Sequence, residues 1–201
     1  MKKKIVAAAL ACVLCVGLGI GGTLAWLVDD TDPVVNTFTT SNIDITLAET
    51  DTKADTDDNV ATNAYKMIPG YTIAKDPKVT VVKDSEACWL FVKIVESTDV
   101  KFSDYMTYEI ADGWTALDGV AGVYCRKVAA STADQAFDVL KDNQVVVKDG
   151  VTKEMMKAAE GKEPTLTFTA YASQLMQNAT TEFSAADAWA NLANPTATPN
   201  A

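Results

Sequence analysis

The segment Thr165–Ser173 sets Leu166, Phe168, Ala170 and Ala172 against Thr165, Thr167, Thr169 and Tyr171. Side chains of an extended chain alternate between two faces, whereas a helix returns to one face about every 3.6 residues. The pattern therefore suits a half-buried strand and defeats an amphipathic helix. Asn42–Leu47 repeats it, with Ile43, Ile45 and Leu47 on one side and Asp44 and Thr46 on the other. Cys88–Val95 (CWLFVKIV) is apolar on both faces apart from Lys93, which predicts a strand covered on both sides at the centre of a sheet.

The remaining segments extend this theme. Val120–Val128, Phe137–Leu140 and Val145–Val147 read as strands, and Phe102–Ile110 as a strand with poorer alternation. Pro69-Gly70, Asp112-Gly113 and Asp118-Gly119 are turn dipeptides, because proline presets φ and glycine accepts a positive one. Residues 33–40 read as extended, and Pro33, which cannot donate to a ladder, places their start at an edge or in a loop. Thr152–Glu160 has good helix formers with Gly161 as a stop, and Ser184-Ala185-Ala186-Asp187 resembles a capping box opening a helix over Ala185–Leu192. Residues 49–63 read as an acidic loop and 193–201 as a disordered tail. About eight short strands and two short helices predict an all-β chain, a β-sandwich.

The length of 201 residues suits one domain with a real core. Net charge is −10, and residues 1–25 hold Lys2, Lys3 and Lys4 with no acid, so the rest carries 14 basic against 27 acidic residues. Such a surface repels nucleic acid and anionic lipid. There is no histidine. That removes the commonest general base, the Ser-His and Cys-His nucleophile systems and every histidine-based zinc site.

After the three lysines, no charge occurs from Ile5 to Val28. A run of this length could span a bilayer as a helix. The lysines at its front, the glycines Gly17, Gly19, Gly21 and Gly22 in its distal half, and the small residues of Thr23-Leu24-Ala25 instead predict a signal peptide, 1–25, cleaved between Ala25 and Trp26. An uncleaved anchor is the alternative.

The stretch GGTLAWLVDDTDPVVNTFTTSNIDITL, from Gly21 to Leu47, resembles the N-terminus of the TasA/camelysin family, exported proteins of Gram-positive bacteria processed by SipW-type signal peptidases. Two further stretches resemble the same family: Pro69-Gly70 followed by Ile73-Ala74-Lys75-Asp76-Pro77-Lys78-Val79-Thr80-Val81, and a closing strand with Ala170, Tyr171, Ala172 and Gln174 followed by Ala186 and Trp189. The resemblance implies a jelly-roll-like β-sandwich over 26–192, preceded by a signal-peptide helix. It also implies secretion to the cell surface or biofilm matrix as a fibre subunit. In such fibres the freed N-terminal segment of one subunit completes the sheet of the next. Here that segment is 26–40, with Val34, Val35 and Phe38 as its strand. The implied partners are further copies of the chain, a SipW-type peptidase and matrix accessory proteins. A membrane enters only through the signal peptide, and no cofactor is implied.

Other candidates remain beside their plainer readings. Cys88 and Cys125 could form a disulfide in an exported protein or be small buried side chains. Asp55, Asp57, Asp58 and Asn59 invite a calcium reading, but the EF-hand spacing fails and a solvated loop explains them. Trp89, Trp114, Trp189, Tyr124 and Tyr171 could form a sugar-binding platform or pack within the fold. A monomeric binding module or adhesin is the alternative function. Camelysin-type metallopeptidase activity comes last, because a zincin centre needs histidines that the chain lacks.

Overall fold

A computed structural model of the protein describes residues 42–50 and 64–193. The signal segment 1–25 with Ala25 and Trp26, the assembly strand Val34, Val35 and Phe38, the acidic residues Asp55, Asp57 and Asp58, and the tail from 194 lie outside the described residues.

The described chain is all-β, with ten short strands and a few helical turns. Strands are β1 Ile45–Ala48, β2 Thr72–Ala74, β3 Lys78–Val81, β4 Cys88–Glu96, β5 Met106–Thr107, β6 Thr115–Ala116, β7 Val123–Val128, β8 Gln135–Asp138, β9 Gln144–Val147 and β10 Leu166–Gln174. Helices are α1 Phe102–Tyr105, α2 Lys153–Ala158 and α3 Ala185–Ala193. Three antiparallel sheets form, in the orders β1-β3-β8, β10-β4-β7-β6 and β2-β9-β5. The four-stranded sheet is the largest, and its spine is the nine-residue pairing of β4 with β10, from Cys88 opposite Gln174 to Glu96 opposite Leu166.

Alternation distributes the apolar residues between two cores. On one face of the large sheet, Cys88, Leu90, Val92 and Ile94 of β4 meet Val79 and Val81 of β3 and Val145 and Val147 of β9. All three sheets thus turn their apolar faces to one core. On the other face, Phe91, Val123 and Cys125 pack against Ala188 and Trp189 of α3. Each fully buried aliphatic or aromatic side chain contributes roughly 1.5–3 kcal/mol over its exposed state, so the first core carries most of the stability.

Several expectations meet their structures closely. Thr152 caps α2, its side chain accepting from the Met155 amide, and Gly161 ends the segment at a φ of +77°. Ser184 accepts from the Asp187 amide at 3.2 Å and donates its hydroxyl to the Asp187 carboxylate at 2.7 Å, a side-chain cap at the start of α3.

Three expectations need correction. Phe102–Ile110 is not a strand: it is the helical turn α1, the two-residue β5 and an isolated bridge from Ile110 to Leu140. Phe102 and Tyr105 both bury into the first core, and residues three apart share a face only when the backbone coils. The strand expected from Val120 begins at Val123, because Gly122 stands at a φ of +72° and turns the chain into the hairpin after β6. β4 is covered on both faces only along its first half. Past Phe91, Lys93 is exposed and Val95 is 47% exposed, since α3 reaches no further along that face.

Candidate functional site

The features with most bearing on function lie along β10. It is an edge strand: β4 pairs with one side, and no strand among the described residues pairs with the other. Its open edge carries the consequence that unpaired edges usually have, a row of N–H and C=O groups able to receive another chain. The burial of its inward side chains agrees. Leu90, Val92 and Ile94 of β4 are buried, whereas Ala172, Ala170 and Phe168, their partners across the ladder, are only half-buried. The apolar stripe that predicted this strand is therefore present but incompletely covered.

β1 is a second open edge nearby. Among the described residues it pairs with β3 alone, and β1 and β10 approach within 8 Å between Cα atoms without pairing. Ile43 and Ile45 are half-buried and Leu47 is 37% exposed, so the alternation of Asn42–Leu47 also supplies an apolar row with an uncovered flank.

Polar contacts pin both ends of this region. At one end the Glu86 amide donates to the Asn42 carbonyl at 3.0 Å, and the Leu175 amide to that of Ala87 at 3.1 Å. At the other, Lys75 Nζ donates to both oxygens of Glu49 at 2.8 and 2.7 Å and sits 5.4 Å from the ring centre of Phe168. Both members of that ion pair are nearly covered, which makes the geometry matter more than in an exposed pair. Beside it, the Thr50 hydroxyl and amide donate to the two oxygens of Asp76 at 2.6 and 3.0 Å. The Thr50 hydroxyl is the largest cause holding the Asp76 carboxyl below its ordinary pKa. Residues 49–50 are thus strapped to Lys75 and Asp76 in the link between β2 and β3. Nothing in the sequence announced the partnership, which depends on the pairing of β1 with β3.

The other candidates resolve differently. Cys88 and Cys125 are free thiols. Cys88 lies opposite Val128 and Cys125 opposite Phe91, so register puts them on opposite faces of the sheet, in different cores. Cys125 also lies three ladder positions from the partner of Cys88, so no disulfide can join them without a three-residue slip of a strand. Burial pushes the Cys88 thiol up to about 11 and raises that of Cys125, as in inert packed cysteines. The aromatic residues also divide. Trp89, Tyr171 and Trp189 gather over Phe91, Trp189 standing 5.3 Å from both Phe91 and Tyr171 and edge-on to the latter. Trp114 and Tyr124 belong to the other face. The five form no single platform. Trp89 Nε1 donates to the Phe183 carbonyl at 2.8 Å, which fastens the approach to α3. Among the described residues no cluster of three metal-ligating side chains occurs, and no helix is long and apolar enough to cross a membrane.

Comparison with models of known protein families, with characterised proteins and with solved structures finds no match in any of the three.

Proposed function

We infer that the protein is a secreted structural subunit of cell-surface or biofilm-matrix fibres, with a jelly-roll-like sandwich that assembles by exchange of its N-terminal strand. On this reading a SipW-type peptidase frees Trp26, and residues 34–40 of one copy add to the β10 edge of the next. The observation that carries it is the half-buried apolar row of β10 beside an open edge. Length agrees: 34–40 matches the seven residues from Phe168 to Gln174. So does chemistry, since Val34 and Phe38 fall on one face of an extended chain and supply the apolar cover that Phe168, Ala170 and Ala172 lack. Strand addition gives main-chain hydrogen bonds together with side-chain pockets. A head-to-tail contact that does not close into a ring grows into a filament.

The test compares the chain starting at residue 26 with one starting at residue 41, by light scattering and electron microscopy. The longer chain should form filaments and the shorter should stay monomeric. Added peptide 26–40 should then bind the shorter chain and broaden the amide signals of β10. Filaments from the shorter chain would refute the mechanism.

A further inference from the structure

Arg126 is the one arginine in the sequence. It lies opposite Leu90 in the ladder, so its side chain leaves the sheet on the face of the first core, at the edge near β6. Its guanidinium stacks between two rings, 3.8 Å from the centre of Phe137 and 5.4 Å from that of Trp114. Trp114 is itself held, its Nε1 donating to the Asp138 carbonyl at 2.8 Å. Gly113 completes the cradle at a φ of +86°, where a Cβ would stand 3.2 Å from Nη2. Stacking occupies the faces of a guanidinium and leaves the N–H groups in its plane available.

Those donors lack acceptors. Nε is buried without a hydrogen-bond partner. Lys75, Lys78, Lys127 and Lys141 each have a carboxylate, and the other described lysines are exposed, whereas Arg126 is partly covered and enters no ion pair among the described residues. In a chain of net charge −10 a partly covered, rigidly held cation without a counter-charge is unusual. A groove of about 530 Å³ opens at the sheet edge, with Arg126 and Gly113 on its wall and with Trp89, Thr115, Leu117 and Lys127 reaching it from the face that α3 covers; Asp118 also lines it. β6 pairs only with Tyr124 and Cys125, so among the described residues no strand lies on that side of β7 from Arg126 onward.

We propose that Arg126 and this groove bind a carboxylate-bearing ligand, whose two oxygens lie in the guanidinium plane and accept its free N–H groups. Bidentate pairing of this kind is the strongest use of a planar guanidinium. The two rings and Gly113 hold it in place before the ligand arrives, so little side-chain freedom is lost on binding. The carboxylate can come from a small acid or from an acidic side chain of another polypeptide. Asp118 on the wall favours ligands that carry no second negative charge close to the first. The site faces away from β10 and stands whether or not the chain forms fibres.

A single arginine gives a single Nε–Hε resonance, so nitrogen-15 spectra of the protein read the site directly. The probes are N-acetylglycine, its neutral amide, and an N-acetylated, amidated peptide of residues 26–40 carrying Asp30→Asn and Asp32→Asn, which keeps Asp29 as its single carboxylate. N-acetylglycine should shift the resonance saturably and the amide should leave it in place. Peptide saturation at a concentration at least tenfold lower would assign a polypeptide ligand, and equal or weaker peptide binding a small acid. Arg126→Gln should weaken the shifts at the Thr115 and Lys127 amides by about tenfold or more. An equal response to the amide, or no saturable response to either carboxylate, would overturn the proposal. The wild-type titration decides even if the variant does not fold.

Discussion

Replacing Gly122 by alanine should cost the domain about 2–4 kcal/mol, and the size of that cost comes from two separable contacts. Gly122 stands at a φ of +72°, where an L side chain loses about 1–2 kcal/mol. Its added Cβ would also lie 2.5 Å from the Ile94 carbonyl oxygen, a distance that real Cβ atoms do not tolerate. That carbonyl is backbone of β4, so relief requires moving a strand rather than rotating a side chain. The movement would strain the hydrogen bond from the Ile94 amide to the Gly122 carbonyl, now 2.7 Å, worth roughly another 1–2 kcal/mol. Gly119 supplies the control. It has nearly the same φ, +77°, but a Cβ there meets nothing within 4 Å. Gly119→Ala should therefore show the conformational cost alone. Urea unfolding of the two variants, followed by tryptophan fluorescence, measures the difference. Equal midpoints at equal m-values would refute the claim that close approach to β4, rather than the turn conformation, demands glycine at 122.

Two further expectations are simpler. In the chain starting at residue 26, Cys88 and Cys125 should both be silent to a thiol reagent in the native state and both react in urea, with intact mass unchanged by reduction; a species about two hydrogens lighter that gains them on reduction would refute the opposite-face register. Asp76 has a lowered pKa, so its stabilising contribution is present above the unfolded carboxylate value and is lost as pH falls through the folded one. Thr50→Val should raise the Asp76 pKa in a carboxyl-detected NMR titration and move the acid-side loss of that contribution to higher pH; an unchanged titration would show that the Thr50 hydroxyl is not its main cause.

Strand character was legible wherever one residue in two had to be apolar. Leu166, Phe168, Ala170 and Ala172 announced β10, and the double-sided run from Cys88 announced β4, because burial on a sheet face is a local demand written at a local period. What depended on register was hidden. Whether Cys88 and Cys125 share a face is decided by the parity of the β4–β7 pairing, which no single segment contains. Phe102 and Tyr105 offered a helical spacing, but over four residues it competes poorly with the strands around it. The Glu49–Lys75 pair and the Arg126 cradle join residues that meet only after the sheets form. Arg126 carried one advance signal, a solitary arginine in a chain whose other basic residues are all lysine, and composition alone could not give it a place.

The pairing of β4 with β10 imposes an order on events during synthesis. A ribosome delivers Cys88–Glu96 some seventy residues before Leu166–Gln174. For that interval the most apolar strand of the protein has one flank without its final neighbour, at the stage when nascent chains are most prone to misassembly. Non-local pairing of this kind also closes slowly, because the intervening loop must surrender its freedom first. Premature release of a truncated chain ending before residue 166 would leave that flank permanently bare. Quality control of this protein should therefore act on its last third.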